Sequence, residues 1–159
     1  MLWAAGTSPV VLVPGTGRTE SELSAGLARA GFAVVSWPDS GLEDIRRVAE
    51  AITTGALSIA APTYALCAAD SALDAALWTA ATPDVKALVT FEMLSRAGER
   101  ELPITDTICC PWLLFEPDDD QSVWARASAL AANGQRHLEP LHDRERALRV
   151  AIQWLARRL

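Results

Sequence analysis

Three side chains in this sequence have the types and chain order of a nucleophilic catalytic set: the Thr63 hydroxyl, a carboxylate within Asp118-Asp119-Asp120, and the His142 imidazole. In such a set the histidine takes the proton from the attacking hydroxyl, and the acid holds the ring in the tautomer able to do so. Each follows a short apolar run: Thr63 after 57–61, the acids after 109–115, and His142 after 137–140. The other such runs end at Pro14-Gly15-Thr16-Gly17, at Pro38-Asp39 and at Glu92. If the runs are parallel strands, the residues beyond their carboxyl ends line the ligand crevice. Hydroxyl, carboxylate and imidazole would then meet at one edge of a sheet.

The elements that must position them are legible from punctuation and period. Six apolar runs, at 10–13, 33–37, 57–61, 87–91, 109–115 and 137–140, are followed by Gly, Pro, Asp or Ser and separated by segments of helical period. That alternation predicts an α/β three-layer sandwich around a parallel sheet of six strands. Thr19-Glu20-Ser21-Glu22 and Ser40-Gly41-Leu42-Glu43 fit the capping box, predicting helix starts at 19 and 40, while Gly31 and Asn133-Gly134 sit where helices stop. Leu42, Ile45, Val48, Ala49 and Ile52 share one helix face, as do Leu148, Ala151, Ile152 and Leu155. The stretch 96–106, with Gly98 and Pro103, is the longest irregular connection and reads as a lid or a truncated helix.

Composition narrows the function. The 159 residues are half apolar and 21% charged, with a formal charge of -6, which suits one domain spanning 1–159. An acidic chain offers no field for a phosphate backbone, so nucleic acid is not expected as a partner. No apolar run approaches the ~20 residues of a membrane span, and residues 1–6 lack the charged and apolar regions of a signal peptide. The chain reads as cytoplasmic, with no membrane partner; a homodimer is left open. Cys67 and the adjacent Cys109-Cys110 lack zinc-site spacing. Neighbours in a strand point to opposite faces, so no structural disulfide is expected. The six tryptophans are scattered and form no stacking stripe.

A glycine-rich turn after the first strand, with Asp39 about twenty residues on, imitates a dinucleotide fingerprint. The third small residue would fall at position 20, which is Glu20, and an acid there repels pyrophosphate. No cofactor or metal is expected.

From about Val10 to Leu159 the chain resembles the dienelactone hydrolase-like branch of the α/β-hydrolases. The similar pieces are VVLVPGTG, GFAVVSWPD, PDVKALVTFE, CPWLLFEPDDD and the closing HDRERALRVAIQWLARRL. The resemblance implies strand order 2-1-3-4-5-6 and hydrolysis of an ester, lactone or thioester of a small molecule. Where the family has Gly-x-Cys/Ser-x-Gly between a strand and a helix, this sequence has Ala61-Pro62-Thr63-Tyr64-Ala65. The resemblance thus makes Thr63 the nucleophile, at a turn whose strained, positive φ a β-branched residue tolerates badly. Cys67 is the rival nucleophile, one helical turn beyond. His142 matches the family's histidine better than His137, which lies within the sixth strand. Counting from Pro111 places Asp120 at the catalytic acid, with Asp119 the near alternative. Backbone N–H groups of Gly15, Thr16 and Tyr64 would form the oxyanion hole. Glu116, where the family commonly has glycine, and Glu92 are further acids at the pocket edge. The degenerate elbow keeps two competing functions open: a catalytically silent relative that binds a small ligand or a partner protein in the same cleft, and non-hydrolytic acid/base chemistry by His142 and a carboxylate.

Overall fold

The computed structural model describes residues 8–39, 41–56 and 61–159. They form six parallel strands: β1 (Val10–Pro14), β2 (Ala33–Trp37), β3 (Tyr64–Ala68), β4 (Val85–Phe91), β5 (Trp112–Glu116) and β6 (Arg136–Pro140). The strand order is β2-β1-β3-β4-β5-β6, as expected. Between them run α1 (Arg18–Arg29), α2 (Leu42–Thr53), α3 (Ala72–Ala81), the single turn α4 (Leu102–Thr105) and α5 (Gln121–Ala131), and α6 (Arg144–Ala156) closes the chain.

Alternation along each buried strand feeds two cores. Val10, Leu12, Leu66, Leu88, Trp112 and Leu114 pack with residues of α2, α3 and α5 on one face. Val11, Val13, Cys67, Val89, Leu113 and Phe115 pack with α1 and α6 on the other. A strand buried on both faces has to be apolar throughout, which explains runs such as VVLVP and WLLFE. Trp112, fully buried, satisfies its indole by donating to Thr90 Oγ1 at 2.9 Å.

The third strand departs from the sequence reading. It is YALCA at Tyr64–Ala68, not the run at 57–61, of which 57–60 lie outside the described residues. β3 is central, pairing with β1 (Val11↔Ala65, Leu12↔Leu66) and with β4. A central strand needs its N–H groups, so Pro62 ends any ladder before it and the fully buried run after it takes the position. Two short apolar runs flanking a proline carry the same periodicity signal. The fifth strand likewise starts at Trp112, leaving Cys109 and Cys110 in the loop before it.

The helix starts also shift. Gly17 and Gly41 are the N-caps of α1 and α2, without side-chain cap bonds, and Ser40 lies outside the described residues. Glu20 is the third residue of α1, from which a capping-box glutamate would reach back to the N-cap N–H. It reaches across to another loop instead.

Candidate functional site

At the carboxyl edge of the sheet three loops meet: β1 to α1, β3 to α3, and β4 to α4. Gly15 turns the chain out of β1 at φ 100, a conformation that suits glycine. The next connection is Ala68-Ala69-Asp70-Ser71-Ala72, with Ser71 the N-cap of α3. This is the real strand-to-helix turn of β3, with small residues on both flanks and Asp70 at its centre. The Glu20 carboxylate, 2% exposed, accepts the Asp70 backbone N–H at 2.9 Å through Oε1. A Cβ at Gly17 would collide with Glu20 Oε2 and lie 3.1 Å from Asp70 Oδ2, so glycine is what lets the carboxylate in. Ser71 Oγ donates to the Pro14 carbonyl at 3.3 Å. Arg96, from the third loop, donates to the carbonyls of Ala69 (2.9 Å) and Asp70, and its Nη2 meets Asp70 Oδ1 at 3.3 Å. The three loops are thus tied by charge-assisted hydrogen bonds.

Next to them lies Glu116, the last residue of β5 and fully buried. Its Oε1 accepts the Leu94 N–H at 3.0 Å, while Oε2 has no hydrogen-bond partner among the described residues. Burial pushes its pKa up to about 7, against the pull of the Leu94 and Met93 N–H groups. Glu92 is the non-glycine residue with positive φ (55) among those described, and its side chain is exposed. His142, in the loop before α6, pairs through Nε2 with Asp118 Oδ2 at 3.0 Å, both on the surface.

Several expected roles are overturned. Thr63 precedes β3 and lines an amino-edge cavity of about 470 Å³ with Pro9, Val10 and Lys86. Five residues of strand at ~3.3 Å each put roughly 16 Å between that edge and the one bearing His142, far beyond proton-transfer reach. Thr63 therefore cannot be activated by His142. Asp120 is not the acid beside the histidine: its Oδ1 caps α5, accepting the N–H groups of Ser122 (2.9 Å) and Val123 (3.2 Å). Asp119 is exposed, and Asp118 is the carboxylate that meets His142. Cys67 lies inside β3, fully buried, where loss of water pushes its thiol up. The Tyr64 N–H donates to the Asp84 carbonyl at 3.1 Å and the Gly15 N–H to that of Trp37 at 2.8 Å, so neither serves as an oxyanion donor. Thr16 stays exposed at the β1–α1 turn. The Tyr64 hydroxyl, pushed up to about 12 chiefly by burial, accepts from Trp78 Nε1 at 2.8 Å within the core. His137 lies in β6 and pairs with Glu139 at 2.8 Å.

Glu20, Asp70 and Arg96 are the site residues that sequence reasoning missed, and Asp118 was named only within the acid run, with Asp120 and Asp119 preferred to it. Asp70-Ser71 after an apolar run is the same punctuation that marked the other strand ends, and an acid immediately before Gln121 is where an N-cap belongs. No signal in the sequence separates Asp118 from its neighbours as the partner of His142. Among the described residues no group of three His, Cys, Asp or Glu side chains is placed to hold a metal ion, and no helix is long and apolar enough to cross a membrane.

No family model matches the chain, and no curated protein matches it by sequence. Solved structures do. The dienelactone hydrolase from Anabaena variabilis superposes with a TM-score of 0.71 at 14% identity, over 97% of this chain and 88% of that one. A predicted CIB-like hydrolase from Thermoplasma acidophilum gives 0.70 at 16% identity, over 99% and 90%. The esterase domain of a Rhodothermus marinus protein gives 0.68 at 17% identity, over 95% and 87%. The chain has the α/β-hydrolase fold. At such identities the likeness reaches the fold and stops there, since one fold hosts many chemistries. What this hydrolase-fold chain presents at its carboxyl edge is an oriented histidine, a buried carboxyl that titrates near neutrality, and a turn whose central N–H is already bonded to an internal carboxylate.

Proposed function

We propose that this hydrolase-fold protein is catalytically silent toward esters, lactones and thioesters, and that the acidic loops at its carboxyl edge bind a small cationic ligand. The observation that carries this reading is the 2.9 Å hydrogen bond from the Asp70 N–H to Glu20. Acyl transfer needs N–H donors aimed at the place where negative charge develops. Here a carboxylate has taken the donor, and its own charge opposes a second anion beside it. The centre of the turn offers Asp70, drawn to Arg96, in place of a serine or cysteine. Exposed Glu92, Asp118, Asp119 and Asp120 surround the edge in a chain of formal charge -6, a field that concentrates cations.

A second reading, hydrolysis of a small ester, lactone or thioester without an acyl-enzyme, is favoured by the His142–Asp118 pair at 3.0 Å. An imidazole oriented by a carboxylate can act as general base toward water directly. Measuring p-nitrophenyl acetate hydrolysis by the wild-type chain and by His142→Ala, alongside the shift in Tm with spermidine at low salt, separates the two. The expected outcome is hydrolysis no faster than buffer for both proteins, together with a rise in Tm that salt abolishes. Turnover lost in His142→Ala establishes the second reading. A Tm indifferent to spermidine removes the cationic ligand.

A further inference from the structure

The amino edge of the sheet carries a second constellation of reactive groups. Cys109 and Cys110 sit in the loop before β5, and both line one cavity of about 520 Å³ with Thr82, Lys86, Thr107 and Pro111. Because the pair lies outside the strand, the alternation that would send its side chains to opposite faces does not apply. Cys109 is exposed, its Sγ 3.3 Å from the Thr107 carbonyl that it donates to; Cys110 is half-buried. Burial pushes the Cys110 thiol up to about 11; the charge of Cys109 pushes the same way, and the Arg136 guanidinium pulls it back. Two adjacent thiols thus face one cavity, one open to solvent and the other half-buried.

We propose that this cleft is a thiol–disulfide exchange site for an anionic low-molecular-weight disulfide, with Cys109 attacking and Cys110 resolving. Lys86 lines the cavity and supplies the positive charge that meets the carboxylates of such a molecule. In the first step the Cys109 thiolate attacks one sulfur of the disulfide, forming a mixed disulfide and expelling one thiolate, which takes up the proton Cys109 has lost. In the second step Cys110, after giving its proton to solvent, attacks Cys109 Sγ and expels the second thiolate, which is protonated in turn. The net change is two protein thiols oxidised to one disulfide and one small disulfide reduced to two thiols. A trans peptide holds adjacent Cα atoms about 3.8 Å apart, less than the ~4.4–6.8 Å usual for a disulfide. The bridge is therefore strained, and strained disulfides are the labile, reversible ones.

Glutathione disulfide, added to the full chain and followed by intact mass and peptide mapping, tests the proposal. Wild type should lose two hydrogens, localised to the peptide holding both cysteines, and regain them with dithiothreitol. Cys110→Ser should stop at a glutathione adduct on Cys109. Cys109→Ser should react at least about tenfold more slowly, since the remaining thiol is half-buried and burial disfavours its thiolate. Lys86→Ala should slow adduct formation in the Cys110→Ser background while leaving reaction with uncharged 2-hydroxyethyl disulfide unchanged. An adduct persisting on Cys109 in wild type, or a Cys109-Cys110 pair that stays reduced, overturns the proposal, with circular dichroism checking that each variant is folded. Neither outcome bears on the carboxyl-edge site.

Discussion

The two edges of the sheet are organised in opposite ways. At the carboxyl edge, where a parallel α/β sheet usually receives its ligand, loops distant in sequence are tied together by Glu20, Arg96 and Glu116, so the position next to the Asp70 N–H is filled from within. At the amino edge, cavities of about 520 and 470 Å³ stay open, lined by Thr63, Lys86 and two thiols, although Arg136 at the start of β6 ties the loop before β5 by donating to Asp106 Oδ1 at 2.8 Å and to the carbonyls of Asp106 and Ile108. The same sheet makes both. The difference is that at the carboxyl edge the Glu20 carboxylate takes up the turn N–H itself, whereas at the amino edge Arg136, which ties the loop, is not among the residues lining either cavity.

The sharpest way to break this contrast is to remove the internal carboxylate. Glu20→Ala takes the acceptor from the part-buried Asp70 N–H and should cost about 1–2 kcal/mol in urea denaturation, while Thr63→Ala on the other edge should stay within about 0.5 kcal/mol. Equal losses would mean the carboxyl edge is no more tightly held than the amino edge. Glu116 gives a comparable effect with a defined pH window. Its folded pKa, about 7, lies above its ordinary 4.5, so the folded state binds more protons between these values. Stability is fully present below about 4.5 and falls as pH rises through about 7. Glu116→Gln keeps an oxygen for the Leu94 N–H and carries no charge, so it should remove this slope and stabilise the fold at pH 8 by on the order of 1–3 kcal/mol. Chemical denaturation at pH 5 and pH 8 reads both. The smallest change concerns the acid run. Asp120→Ala should cost about 1 kcal/mol by uncapping α5, and Asp118→Ala, which breaks only an exposed pair, less than about 0.5 kcal/mol. The reverse ranking, measured by thermal melts, would return Asp120 to the histidine.

Much of this arrangement was visible in local pattern. β2 was expected at its observed bounds, β1, β4 and β6 to within two residues at either end, and His142 in the loop before the last helix. Alternating apolar runs and amphipathic helices leave few parallel topologies, because crossovers are short and right-handed. The elbow was misplaced because two apolar runs, at 57–61 and 64–68, offer the same period to a reader of one sequence. Only pairing with Val11 and Leu12 on one side and with β4 on the other selects the second.

The strand order was implied by the resemblance to the dienelactone hydrolase-like branch, while the class of fold and the acid and histidine loops at the carboxyl edge follow from periodicity and punctuation, which are short-range properties carried by neighbouring residues. The choice of Asp118 over Asp120, the passage of Glu20 across fifty residues to Asp70, and the gathering of Cys109 and Cys110 into one cavity do not. Each depends on where the end of one element meets the end of another. A hydrogen bond of about 3 Å between loops leaves no periodic trace in the chain that forms it.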